Sequence, residues 1–173
     1  GFTIFPGSRS SLEVFAGKKN VRLLEVDLGR LQSEYRTPTL TVRNALGGYL
    51  VQGSDNSLAA LGEVVSGQIE SPEQRADLEL AWVLCKHVKS NAIIIVKNKQ
   101  AIGVGAGQMS RVDSARIAIQ RAELHGHDVK GAVSASDAFL PFADTLEVLN
   151  DAGVCALVQP GGSLKDVEVA AVA

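Results

Sequence analysis

Long apolar runs, aromatic side chains, cysteines and a surplus of either charge are all scarce in this 173-residue sequence. The densest apolar stretch, Ala92 to Val96, is strand-length, far short of the ~18–20 residues a membrane-crossing helix needs. Gly1 to Pro6 lacks the basic start and long apolar centre of a secretory signal. With a net charge of −2, no broad polyanion-binding surface is expected, so neither nucleic acid nor membrane is an expected partner. A local cation can still hold one phosphate. Cys85 and Cys155 allow at most one disulfide, and each sits in an apolar stretch. Buried free thiols in a reducing, cytoplasmic setting are the expectation. There is no Cys-x-x-Cys and no His-x-Glu pair, so a zinc deaminase centre lacks its ligands. No serine nucleophile elbow is present. His125-Gly126-His127 falls at a predicted helix end and reads as a surface cap rather than a metal site.

An apolar fraction of 46% with little net charge is enough for a folded domain with a useful core. The first third reads as a strand ending near Pro6, a helix from Ser11 to about Lys18, a strand over Val21 to Val26, and a strand pair. That pair, Thr39 to Val42 and Tyr49 to Gln52, turns around Gly47-Gly48. Glu63 to Ser66 is a candidate short strand. Ser71-Pro72-Glu73-Gln74 opens a helix running to about Lys89, with Ala76, Leu80, Val83, Leu84 and Val88 on its apolar face. Strands and helices then alternate. Ala92 to Val96 turns at Asn98-Lys99 into Ala101 to Val104, and a helix spans Ser110 to Leu124. A strand over Ala132 to Ala135, a helix over Asp144 to Ala152 and a strand over Val154 to Val158 follow, and a last helix begins near Ser163. This order predicts an open α/β sheet with helices on both faces. The strand-like start without an initiator Met and the helical pattern from Lys165 to Ala173 without a stop signal read as a piece of a longer protein.

Three strand-to-helix loops are nominated as a ligand-binding edge: Gly103 to Arg111, Ser134 to Asp144 and Gln159 to Lys165. Ser110, Asp144 and Ser163 each stand three residues before a carboxylate, as helix caps do. Ser90-Asn91 precedes a strand and is set aside by the same reasoning. Glycine at 103, 105 and 107 suits either a tight sheet-to-helix join or close approach of a flat ligand. Arg111, in the first turn of a helix beside free backbone N–H groups, makes a phosphate pocket. Phe139 and Phe142, braced by Pro141, offer an apolar platform or plug a satellite core. Gln159-Pro160-Gly161-Gly162-Ser163 offers N–H groups to an anion, or is ordinary turn chemistry. Lys86-His87 reads as a solvated helix flank.

Lys89-Ser90-Asn91-Ala92-Ile93, Gly103 to Arg111, Ser136-Asp137-Ala138-Phe139-Leu140-Pro141-Phe142 and Gln159 to Ser163, in that order, resemble the AICAR transformylase part of the bifunctional purine-biosynthesis enzymes that also carry IMP cyclohydrolase. Lys18 to Leu24 and Gly47 to Gln52 extend the resemblance along the chain. It implies a cytidine-deaminase-like α/β fold with a mixed sheet, duplicated in tandem and without zinc. Residues 1–70 would then connect from the first copy, and 71–173 would be the second copy, truncated at its C-terminus. The implied reaction moves a formyl group from formyl-tetrahydrofolate to the exocyclic amine of AICAR, in a cytoplasmic homodimer with shared active sites.

By the same resemblance, Asn91 would be the catalytic group, bonding the nucleotide near the reacting amine. Arg111 and Asp144 would contact the nucleotide, and Val112, Phe139, Ser163 and Leu164 would line the folate pocket. A structural potassium ion would lie near Ser90 and Asp137. The family's catalytic Lys-His pair belongs to the first copy; Lys86-His87 occupies the equivalent place without the following Pro-x-Gly, so it is given no catalytic role. Ala143 stands where the family has an arginine. The chain is therefore expected to be inactive alone. The alternative is a stand-alone nucleotide- or folate-binding module without catalysis.

Overall fold

The computed structural model describes residues 2–5, 13–25, 27, 29–30, 33, 39–55, 57 and 60–173. They fall into two compact units, Gly1–Leu58 and Ala59–Ala173. In the smaller unit, β1 (Phe2–Phe5) pairs in parallel with β2 (Arg22–Glu25), Phe2 lying opposite Arg22. Residues 13–15 are helical and give way to a turn at 16–17, so the described part of the expected Ser11–Lys18 helix is a single turn. Ser11, Pro6 and Val26 lie outside the described residues. The strand pair is present as an antiparallel hairpin of β3 (Leu40–Ala45) and β4 (Gly48–Gly53). Its turn is Leu46-Gly47, one residue earlier than the glycine pair suggests, with Gly47 at φ 79°.

In the larger unit, residues 63–66 form no strand. The first helix, α1 (Pro72–Lys86), starts as its sequence signals. The Ser71 hydroxyl accepts from the Gln74 N–H at 3.1 Å, and the Gln74 side chain reaches back to the Glu70 N–H at 2.6 Å. It ends three residues before Lys89; its buried residues are Asp77, Leu78, Ala81 and Cys85, and Leu80, Leu84 and Val88 of the expected face pack beside them, half-buried.

Four strands follow: β5 (Ile93–Lys97), β6 (Gln100–Gly105), β7 (Val133–Ser136) and β8 (Ala156–Val158), side by side in the order β6-β5-β7-β8. β5 is antiparallel to both neighbours, while β7 and β8 are parallel. The C-terminal ends of β6, β7 and β8 thus share one sheet edge with the start of β5: Ile93 pairs with Gly105 on one side and Ser136 on the other. Three further helices complete the unit: α2 (Arg111–Leu124), α3 (Asp144–Asp151) and α4 (Asp166–Val172).

The fold is a mixed α/β sheet covered on both faces. Alternation along β5 sends Ile93 and Ile95 to a core with Ala115, Ala118 and Ala122 of α2 and Leu149 of α3. Ile94 and Val96 go to a second core with Leu78, Ala81 and Cys85 of α1. β5 is fully buried from Ile93 to Val96, which accounts for its unbroken apolar run. Gly103 and Gly105 let α2 pack backbone-first on β6, since a Cβ on either would strike the carbonyl of Ala118 or Ser114. Of the two roles open to this glycine series, the sheet-to-helix join is the one these two residues fill.

Asp77, buried in α1, fixes the opposite edge. Its carboxylate accepts from the N–H groups of Asn98 and Lys99 at 2.8 and 2.6 Å, clamping the β5–β6 turn in which both residues have positive φ.

Candidate functional site

The edge that carries the β6, β7 and β8 exits is built around one carboxylate. Arg111, the first residue of α2, sits behind the Ser110 cap, whose hydroxyl accepts from the Asp113 N–H as the sequence signals. From there its guanidinium reaches the end of β7: Nε donates to Ser136 Oγ at 3.2 Å and Nη2 to Asp137 Oδ1 at 3.3 Å. The two side chains of this ion pair are only 15% and 16% exposed. Asp137 Oδ1 also accepts from the Ala92 N–H at 2.9 Å.

Ser90-Asn91, set aside in the sequence, lies in this cluster because β5 runs antiparallel to its neighbours and starts where they end. The Asn91 carbonyl accepts from Ser114 Oγ at 2.8 Å, and Asn91 Nδ2 donates to the Gln108 carbonyl at 2.8 Å. Asn91, Arg111 and Asp137 are therefore brought together, with Ser136, the first residue of the Phe139 motif, and Ser114, which the sequence did not single out, as partners. Both serines are fully buried.

The neighbouring loops supply an apolar rim. Leu140 is fully buried and its N–H donates to the Gln159 side chain at 2.6 Å, so this residue anchors the β7–α3 loop. Phe139 and Phe142 flank the anchor and remain 41% and 58% exposed. Leu140 thus plugs the core, which leaves the phenylalanines as surface. Lys165 Nζ stands 5.3 Å from the Phe142 ring centre, linking this loop to the one after β8. Leu164 and Met109 are fully exposed, and Val112 is half-buried in the first turn of α2.

Two loop readings change. The N–H groups of Gly162 and Ser163 both donate to Asp166 Oδ2, at 2.7 and 3.1 Å, so the chain's own carboxylate occupies the Gly-Gly turn. The helix expected from Ser163 begins at Asp166, with Lys165 as its cap; Ser163 Oγ accepts from the Lys165 N–H instead. Asp144 is the first residue of α3 rather than its cap. Its carboxylate accepts from the Thr145 N–H at 2.7 Å, and among the described residues no hydrogen bond or ion pair joins it to the Arg111 cluster; the cap position is Ala143, which makes no side-chain capping bond.

The potassium expectation can be set against the donors present. Asp137 Oδ1 is turned to two N–H groups, one of them cationic, which does not fit a cation ligand at that oxygen. Among the described residues, no group of three or more His, Cys, Asp or Glu side chains is placed to hold a metal. His125 closes α2 through its backbone N–H, bonded to the Arg121 and Ala122 carbonyls. The Cys85 thiol faces the Ala92 and Ala135 carbonyls, and burial pushes its pKa up from 9.0 to about 12, so it is not a nucleophile. A cavity of about 230 Å³ lies at the other edge of the sheet, by Lys97, Gln100 and His127. Its lysine is committed to the Asp128 and Lys130 carbonyls, and it has no part in the Arg111 cluster.

Residues 6–121 match the family model described as AICARFT/IMPCHase bienzyme. The chain is 48% identical, over 98% of its length, to the bifunctional purine biosynthesis protein PurH of Dinoroseobacter shibae. It is 49% identical over the same share to PurH of Roseobacter denitrificans, and 46% identical over 91% to PurH of Prochlorococcus marinus. The chain belongs to the AICARFT/IMPCHase bienzyme family. It spans about a third of the length of these relatives, covering 34% of the first two and 30% of the third. The bienzyme family match takes in Asn91, Arg111 and Val112, and the longer alignments run on over the Phe139 and Gly161 loops.

Proposed function

We propose that this chain is the second, C-terminal cytidine-deaminase-like copy of an AICAR transformylase domain, with residues 71–173 forming that copy and 1–70 leading into it from the first. The parent protein would be a cytoplasmic enzyme of purine biosynthesis that transfers a formyl group from formyl-tetrahydrofolate to AICAR. The observation that carries this reading is the meeting of Asn91 and Arg111 at one sheet edge, with Phe139 and Phe142 exposed beside it.

In this reading the AICAR amine nitrogen attacks the formyl carbon, and the carbon–nitrogen bond to the folate breaks. The amine gives up a proton, and the departing folate nitrogen takes one. The amine is a weak nucleophile because its lone pair is delocalised into the ring and carboxamide, so placement and oxyanion stabilisation must supply much of the acceleration. Arg111 holds the nucleotide's phosphate with the N–H groups not spent on Ser136 and Asp137. Asn91 bonds the substrate beside the amine. Phe139, with Val112, Ser163 and Leu164, receives the folate, its exposed ring suiting a flat heteroaromatic partner. Asp144 serves the nucleotide side. The proton acceptor is assigned to the first copy and not to Lys86-His87, and a homodimer with shared sites completes the assembly.

Calorimetry with AICAR on the full-length protein carrying this sequence tests the reading. Arg111→Ala should weaken binding by about 100-fold, as loss of a charge-assisted phosphate contact does. Unchanged affinity would remove the phosphate assignment. Binding of AICAR and folate without any formyl transfer by the full-length protein would favour the binding-module alternative.

A further inference from the structure

We propose that Asp137 is the positioning residue of this site, fixing with a single carboxylate oxygen both the Arg111 guanidinium and the Asn91–Ala92 peptide. The proposal rests on the reading of Arg111 as the phosphate-binding group and of Asn91 as its neighbour at the reacting amine.

A guanidinium has five N–H donors in one plane. Arg111 spends Nε on Ser136 Oγ and one Nη2 hydrogen on Asp137 Oδ1, both along its inner edge. That leaves the outer fork, formed by Nη1 and the second Nη2 hydrogen, aimed as a unit. Ser136 Oγ in turn donates to the Ala138 carbonyl at 2.7 Å, which directs its lone pairs toward the arginine. The pair is sheltered, so its geometry is held rather than averaged.

The same Oδ1 takes the Ala92 N–H, while Ser114 of α2 holds the Asn91 carbonyl. The peptide that follows the Asn91 side chain is thus gripped at both ends, by β7 and by the helix that carries Arg111. Asp137 links three elements whose order in the chain is far apart: the start of β5, the start of α2 and the end of β7.

A carboxylate this close to a phosphate site also repels the ligand. The two effects have opposite signs. If repulsion dominates, removing the charge tightens phosphate binding; if orientation dominates, removing it weakens binding. The paired guanidinium lies nearer the ligand and offsets most of the carboxylate's field, so orientation decides.

The test is carried out on the full-length protein with two probes, AICAR and its riboside, which lacks the phosphate. Asp137→Asn keeps an amide oxygen to accept the Ala92 N–H but loses the charge that pairs with Arg111, so it is expected to weaken AICAR binding by about 10-fold and to leave riboside affinity within about twofold. Asp137→Glu should recover part of the loss. The double variant with Arg111→Ala should bind AICAR no more weakly than Arg111→Ala alone, because both changes act through one contact. Equal loss for both probes would mean a merely structural role and would overturn the proposal. Unchanged or tighter AICAR binding by Asp137→Asn, beside a weakened Arg111→Ala, would overturn it while leaving Arg111 in place. Unchanged binding by Arg111→Ala would remove the underlying reading and the proposal with it. Should Asp137→Asn melt below the assay temperature, Ser136→Ala decides: a loss of about threefold confined to AICAR supports the proposal, and no loss or an equal loss counts against it.

Discussion

Gly105 lies where a side-chain carbon would collide with the carbonyl oxygen of Ser114, so strand β6 and helix α2 meet backbone to backbone. This contact places the start of α2, and with it Arg111, against the end of β7. Gly105→Ala should therefore destabilise the protein by about 3 kcal/mol, because neither partner can yield without moving its backbone. Chemical denaturation measures this. Gly126→Ala is the control for removing a glycine elsewhere: a Cβ there meets nothing, and its cost should come from its φ of 79° alone.

Asp77 and the turn it clamps give a second pair of opposite outcomes. Asp77→Ala leaves the Asn98 and Lys99 N–H groups without their acceptor and should cost about 3 kcal/mol. Lys99→Gly should stabilise by about 1 kcal/mol, since Lys99 sits at φ 59°, where a side chain is strained, and its backbone bond survives the change. Both are read from denaturation midpoints.

Much of the larger unit was legible because its signals are local. The Ser110 cap, the Ser71-Pro72 start and the apolar run of β5 each act within a few residues, and each appears in the structure. What escaped the sequence depends on chain direction or on distant partners. Whether β5 runs with or against its neighbours cannot be read from its own residues, so loop placement set Ser90-Asn91 aside and the family resemblance alone put Asn91 at the site. Nothing near Asp77 in the chain signals its role, because its partners lie 21 and 22 residues away. At the Gly161-Gly162 turn, glycine spacing leaves anion binding and ordinary turn chemistry both open, and it does not reveal that Asp166 fills the turn. In the Phe139 loop, composition alone favours a plug; burial of Leu140 assigns the plug to the residue between the rings, which stay exposed.

Cys85 should make the protein sensitive to alkali. Its thiol is held protonated in the folded state up to about pH 12, against 9.0 as the ordinary value. As pH rises between those values the unfolded chain releases a proton that the native chain keeps, so this contribution to stability is fully present below pH 9.0 and shrinks toward pH 12. Cys85→Ala should flatten that alkaline decline in a melting series. A thiol reagent at neutral pH should modify Cys155 in the native protein and Cys85 only after unfolding.

Leu140→Ala should cost about 3 kcal/mol, the usual price of emptying a fully buried leucine site, and it should also loosen the loop that presents Phe139 and Phe142. Phe139→Ala, at a residue 41% exposed, should leave the melting temperature nearly unchanged and raise the KM for formyl-tetrahydrofolate. A folate KM that rises with Leu140→Ala but not with Phe139→Ala would place the folate elsewhere.

The central claim is that the edge formed by Asn91, Arg111 and Asp137 serves formyl transfer. Steady-state assay of both reactions in the full-length protein carrying Asn91→Ala tests it most directly. The account predicts that formyl transfer to AICAR falls by about 100-fold or more while IMP cyclisation keeps its wild-type rate. Loss of cyclisation with formyl transfer intact, or no change in either, would contradict it.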